Sequence, residues 1–407
     1  METAAASVQD VIELEKQYLL QNYARYPLVL KRGRGCWLYD TSGKRYLDLI
    51  SGIGVNSLGH AHPRIVRVIR EQAALLIHSS NLYYHEYQAP LAKKICETSG
   101  MQRVFYCNSG TEAIEAAVKM ARAYGRKIHP EKTEIVAFEN SFHGRTMGAL
   151  SITWQPKYRE PFEPLLPGVR FLRPGDEAAL EAAVGERTAA IVAEPIQGEG
   201  GIYPMRGEWL RLLRRAADRS GALLVFDEIQ CGIGRPGVYY AYQLHQPPVM
   251  PDIVTLAKPI AAGLPLGAVA CTEAAAAAIG PGMHGTTFGG GALACRVALE
   301  FYSILDELLP QIRRVGDYFF AGLRDLQREF SFIREVRGAG LMIGVELDFP
   351  CKHLVNAGIE QGLLFNVTHE TVIRMLPPYI LTEKEAGRAL SGLRKIFRTA
   401  GPASHGA

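Results

Sequence analysis

The sequence predicts an α/β protein, with a large domain built on a mainly parallel sheet and a smaller α+β domain after it. Three observations predict this. Short apolar segments rich in Val, Ile, Leu and Ala recur between stretches of helical period, the alternation of a sheet covered on both faces. A chain of 407 residues is too long for one small core. After Gly291 the pattern changes to long amphipathic helix, which marks a second unit.

Taken in order, the first fifty residues predict a helix near Val11 to Leu20 and a hairpin, Gly35 to Asp40 and Arg45 to Asp48, turned by Thr41-Ser42-Gly43-Lys44. Residues 1–59 are expected to join the smaller domain. The large domain is expected over 60–295. Its strands are Val104 to Cys107, Glu134 to Phe138, Ala189 to Ala193, Ala222 to Phe226, Ile253 to Ala257 and Ala268 to Cys271. Helices fall between them at Glu112 to Tyr124, Glu177 to Val184 and Gly207 to Ser220, and the alanine run Ala274 to Ala278 reads as a surface helix. The smaller domain, 296–400, follows with helices at Leu293 to Leu308 and Gln311 to Phe330 and a sheet over Ile333 to Leu347. Residues 401–407 read as a disordered tail.

Composition narrows the function classes. Hydrophobic residues make up 48% and charged residues 21%, as in a soluble globular protein. The net charge of +4 arises from 45 basic and 41 acidic residues scattered along the chain, without the basic stripe of a nucleic-acid binder. Met1 to Asp10 lacks a basic-then-apolar signal, and no apolar run reaches the length of a membrane span. Seven cysteines, an odd number with no Cys-x-x-Cys pair, fit a reducing cytoplasm and no disulfide framework. His60-Ala61-His62 has no further ligands nearby, so no metal site is expected. The glycines of Gly198 to Gly201 and Gly232 to Gly234 do not form a dinucleotide fingerprint.

Two charges end buried strands. Asp227 follows Ala222 to Phe226, and Lys258 follows Ile253 to Ala257. Carboxyl ends of such strands line the crevice where α/β proteins bind ligands. Pyridoxal phosphate needs an amine to join its aldehyde and an acid to keep its pyridine nitrogen protonated, and Lys258 and Asp227 supply both. Singly, each also reads as a strand-end charge in solvent. Asn108-Ser109-Gly110-Thr111-Glu112 follows a strand and opens a helix, which suits a phosphate at the helix amino terminus as well as an ordinary N-cap.

In order, the segments Asn108 to Glu112, Ser141-Phe142-His143-Gly144-Arg145, Glu194-Pro195-Ile196-Gln197-Gly198-Glu199, Phe226-Asp227-Glu228-Ile229-Gln230 and Lys258 resemble the class III aminotransferases over nearly the whole chain. Within that class Tyr46 to His60, Ser80 to Tyr84, Thr286 to Gly290 and Gly340 to Gly344 resemble the acetylornithine aminotransferases. The resemblance implies fold type I of the pyridoxal-phosphate enzymes and a homodimer with shared active sites. It implies Lys258 as the amine that carries the cofactor, Asp227 on the ring nitrogen, Gln230 on the phenolic oxygen, and Phe142 and Ile229 against the ring faces. Ser109, Gly110 and Thr111 would cradle the phosphate, with Thr287 reaching it from the partner subunit.

For substrates, the resemblance implies Arg145 as the site of the α-carboxylate. Glu199 would mask Arg374 for an ω-amino donor and release it to the side-chain carboxylate of 2-oxoglutarate. Tyr23 would border the donor. Ile53 stands where ornithine aminotransferases carry a tyrosine, which argues against free ornithine. The implied reaction converts N2-acetylornithine and 2-oxoglutarate to N-acetylglutamate 5-semialdehyde and glutamate, in arginine biosynthesis. Succinylornithine, succinyl-diaminopimelate, a carrier-linked lysine, γ-aminobutyrate and ornithine remain alternative donors. An aminomutase or decarboxylase on the same fold is the alternative from another class. Pro259 after the lysine, and Ala292 where proline is common, depart from the family pattern and leave substrate preference open.

Overall fold

The computed structural model describes residues 8–400, so the first seven residues and the tail at 401–407 lie outside the described residues. Seven strands form the central sheet: β1 (Arg103–Cys107), β2 (Glu134–Phe138), β3 (Val169–Leu172), β4 (Thr188–Ala193), β5 (Leu223–Asp227), β6 (Ile253–Leu256) and β7 (Gly267–Cys271). Their order is β1-β7-β6-β5-β4-β2-β3. All neighbours pair in parallel except β7, which runs antiparallel to both β6 and β1.

Both faces of the sheet are buried, which is why its strands read as continuous apolar runs rather than alternating ones. Val136, Ile191, Leu224, Phe226 and Val254 join a core that includes Phe301 and Leu305 of the later helix, whereas Ile135, Val192, Val225 and Ile253 face helix α1 (Gly110–Ile128). Ala113, Ala117 and Ala121 bring α1 close to the strands. The period of two along β5 puts Asp227 on the same face as Leu223 and Val225, under α1. Helix and acid thus meet at one end of the sheet.

Helix α2 (Ala292–Glu329) runs unbroken for 38 residues, where the sequence predicts two helices on either side of Pro310. Pro310 is exposed, while Leu305 and Ile312 beside it are fully buried. The carbonyl that loses its N–H partner therefore faces water, and packing on both sides holds the axis together.

Four antiparallel strands follow: β8 (Ile333–Ala339), β9 (Met342–Leu347), β10 (Asn366–Thr368) and β11 (Val372–Met375), in the order β8-β9-β11-β10. Helix α3 (Glu383–Thr399) packs along α2 and begins with a capping box in which Thr382 and Glu385 bond each other's backbone N–H. Near the amino terminus, strands Leu30–Arg34, Trp37–Asp40 and Arg45–Asp48 form a meander whose last strand pairs in parallel with Leu363–Leu364. Segments more than 300 residues apart in sequence are thus joined in one sheet.

Candidate active site

A cavity of about 460 Å³ opens at the carboxyl ends of β5 and β6. Its lining includes Lys258 and Asp227, with Ser109, Gly110 and Thr111 at the amino terminus of α1. Phe142, Arg145, Ile229 and Gln230, also drawn from the sequence, line it too. The volume suits a small cofactor with part of a substrate.

Asp227 is 3% exposed, and both of its oxygens are engaged. One oxygen lies 2.7 Å from His143 Nδ1, and the other accepts from the Ile229 N–H at 3.0 Å and the Thr255 hydroxyl at 3.2 Å. Burial favours neutral His143, but the hydrogen bond and charge of Asp227, with Glu194 behind, outweigh it and raise the imidazole above its ordinary range. Burial and the Asp227 charge push Glu194 up, although it accepts from the N–H groups of Phe142 and Gly198, both at 3.1 Å. Buried His143 Nε2 has no hydrogen-bond partner. A carboxylate held this firmly can keep a ring N–H protonated without reorganising.

Lys258 opens a single 3₁₀ turn, Lys258–Ala261, with φ of 39°, a left-handed conformation rare for a side-chain-bearing residue. Pro259 sits in the first turn, where a missing N–H costs nothing, so this departure fits the local backbone. Desolvation lowers the lysine below its ordinary range, against the pull of Asp227 and Glu199. A depressed amine is neutral more often and therefore nucleophilic.

The phosphate cradle has an N-cap: Ser109 Oγ accepts from the Glu112 N–H at 3.3 Å. At Gly110 an added Cβ would lie 2.8 Å from Ile229 Cγ2, so only glycine keeps the first turn this close to the ring wall. Free N–H groups at the start of α1, hydroxyls of Ser109 and Thr111, a buried acid and a depressed lysine around one cavity fit pyridoxal phosphate.

Arg374 and Glu199 lie beside this cavity, joined by a charge-assisted hydrogen bond from Nη1 to the carboxylate. Arg374 is 1% exposed, and Nη1 also donates to Gln230 Oε1 at 3.2 Å while Nε donates to Asn366 Oδ1 at 3.1 Å. Burial alone would raise the Glu199 carboxyl, yet the charge and hydrogen bond of Arg374, with Lys258 adding, hold it below the ordinary glutamate range. Arg145 differs. Its guanidinium lies 3.7 Å from the Tyr158 ring centre and 5.5 Å from that of Phe142, and it makes no ion pair among the described residues.

Two sequence-predicted residues stand apart from the cavity in the single chain. Thr287 is exposed. Tyr23 is 68% exposed and lines a separate surface depression with Val11 and Tyr26. His60 Nε2 bonds Asp48 at 2.8 Å, and no group of metal-holding side chains occurs among the described residues. The sequence alone gives no role to His143, Glu194, Tyr158, Asn366 or Thr368. For the first two, their place inside the quoted motifs was the available signal.

Sheet, lysine, acid and helix terminus together define a transferase of the pyridoxal-phosphate kind. The chain belongs to the class III aminotransferases, whose family model matches residues 18–397. It is 45% identical over 394 residues to the acetylornithine aminotransferase of Methanocaldococcus jannaschii, covering 96% of this chain and 98% of that one. It is 49% identical to the mitochondrial acetylornithine aminotransferase of Alnus glutinosa over 94% of this chain and 86% of that protein. Among solved structures, ornithine aminotransferase from Toxoplasma gondii superposes with a TM-score of 0.91 at 33% identity, covering 97% of this chain and 96% of that one. Acetylornithine aminotransferase from Elizabethkingia anophelis gives 0.85 at 31%, covering 97% and 100%.

Proposed function

We propose that the protein transfers the terminal amino group of N2-acetylornithine to 2-oxoglutarate, giving N-acetylglutamate 5-semialdehyde and glutamate as a step of arginine biosynthesis. The observation that carries this is the Glu199–Arg374 pair beside Lys258, read with the acetylornithine aminotransferases to which the chain is similar. When bound, the cofactor supplies an aldehyde and an electron-accepting ring. The protein supplies the rest. Asp227, braced by His143 and Thr255, keeps the ring N–H in place. Lys258 Nζ moves the proton lost from the reacting carbon.

The two substrates differ at the reacting carbon. In the donor that carbon bears no carboxylate, so a bare arginine beside it would be an unpaired charge, and Glu199 covers Arg374. In 2-oxoglutarate it bears the adjacent carboxylate, which takes the place of Glu199. This reading gives Arg374 the carboxylate next to the keto carbon, and the distal one to Arg145, in contrast to the side-chain assignment that the resemblance implies. In the donor half, Arg145 takes the distant α-carboxylate, and stacking on Tyr158 leaves its N–H edge free for a bidentate contact. The test compares specificity constants for acetylornithine, succinylornithine, ornithine and γ-aminobutyrate with 2-oxoglutarate. A clear win for ornithine or γ-aminobutyrate overturns the donor assignment.

We also infer a homodimer with shared active sites. Leu82 (84% exposed), Tyr84 (105%) and Phe288 (67%) are large apolar residues open to solvent, and Phe288 adjoins Thr287, whose hydroxyl is assigned to the partner's phosphate. Light scattering checks the dimer, and weaker cofactor binding by Thr287→Ala checks the sharing. A cytoplasmic location rests on the free state of all seven cysteines. No helix among the described residues is long and apolar enough to cross a membrane.

A further inference from the structure

We propose that Asn366 and Thr368, both on β10, are the positioning residues of the Glu199–Arg374 switch: Asn366 fixes the arginine and Thr368 fixes the backbone of the glutamate. This rests on the two-substrate reading above and names the parts that let one charge move while its partner stays.

Register brings the arginine to Asn366. In the antiparallel pairing of β10 with β11, Asn366 stands opposite Arg374, where facing side chains are near neighbours. Asn366 Oδ1 accepts from Arg374 Nε at 3.1 Å, leaving Nη1 to Glu199 and Gln230. When Glu199 leaves, the guanidinium keeps two amide oxygens as acceptors, one on each side. Neither carries charge, so neither competes with an incoming carboxylate. The arginine is therefore already aimed when the keto acid arrives.

Thr368 lies two residues further along the strand, on the same face, and its hydroxyl donates to the Glu199 carbonyl. The glutamate's backbone is clamped elsewhere too. The Gly198 N–H donates to Glu194 at 3.1 Å, and a Cβ at Gly200 would come within 2.6 Å of the Asn140 carbonyl. Only the Glu199 side chain is left to swing, and it is half-buried at the edge of the larger cleft it lines with Phe142, Lys352 and His369. The turn after Thr368 is held by left-handed backbone at His369 (φ 48°) and Glu370 (φ 61°), which fixes where β10 ends.

The two side chains act on opposite halves of the switch, so their loss should shift substrates in opposite senses. The experiment uses holoenzyme and measures binding of glutarate, an unreactive dicarboxylate, by calorimetry, together with single-turnover half-reactions for acetylornithine and 2-oxoglutarate. Asn366→Ala should weaken glutarate and 2-oxoglutarate by about tenfold, the scale of one hydrogen bond to a charged group, and change acetylornithine by less than about twofold. Thr368→Val should loosen the mask, weaken acetylornithine by about threefold and leave glutarate equal or tighter, with Thr368→Ser restoring the native values. Equal losses for both substrates in Asn366→Ala, or glutarate weakened in both variants, would mean a merely structural role and overturn the proposal. If Asn366→Ala does not fold, the Thr368 series decides. Arg374→Ala is the control. If it still binds glutarate like the native protein, the two-substrate reading itself fails; if it loses glutarate while Asn366→Ala does not, only the positioning role fails.

Discussion

Asp227 and Lys258 stand at the ends of neighbouring strands of one sheet, whereas Glu199 and Arg374 come from separate parts of the chain, a loop following Gln197 and strand β11. The floor is held by contacts at the edge of the sheet: Thr255 on β6 and the Ile229 N–H just past β5 both donate to Asp227, and the β5–β6 register places Asp227 opposite Thr255. The gate is held by one ion pair plus β10. That difference separates two tasks. Chemistry common to both half-reactions is built on a frame that need not move, and discrimination between substrates is built on a pair that must part.

The strongest way to break this comparison is at the floor. Lys258→Ala should abolish both half-reactions equally, by at least about 10²–10⁴-fold, while the protein still binds the cofactor. Single-turnover kinetics check the rate, and a variant that spared either half-reaction would sink the assignment. Next in size, Gly110→Ala should weaken cofactor affinity by about tenfold, because the new methyl group meets Ile229 in the cradle; equilibrium titration of the apoprotein reads it. It should leave the ratio of the two half-reaction rates unchanged once saturated.

At the gate, Glu199→Gln should split the halves. Donor turnover should fall by about tenfold as Arg374 is left uncovered, while 2-oxoglutarate binds more tightly for want of a competitor. Equal effects on both would erase the distinction between floor and gate. The smallest effect is on stability. Glu199 is held below its ordinary 4.5 in the fold, so its contribution is complete above that pH and lost as pH falls through the folded value. The melting temperature of Glu199→Gln should therefore lie a few degrees below native at neutral pH, and the gap should narrow under acid.

The floor was legible in the sequence and the supports of the gate were not. Asp227 and Lys258 end apolar runs, and a parallel sheet puts the carboxyl ends of its strands at one edge. Glu134 to Phe138 and Gly207 to Ser220 match observed elements to the residue. β3 is not legible because Arg170 interrupts a short edge segment, and α2 reads as two helices because a proline seldom survives inside one. Asn366 carries no mark in its own neighbourhood. Its meaning comes from a register with β11 that only the folded sheet displays. His143 was visible within its motif, but its bond to Asp227 spans 84 positions.

Thr255 sits directly across from Asp227, and the turn that begins at Lys258 starts three residues later, with its first residue held in left-handed backbone. The segment between them is a ruler. Side chains along it can be exchanged for others of similar bulk, but its length has no slack. One residue inserted or deleted there would carry the amine past the cavity, so substitutions should accumulate in this stretch where gaps do not.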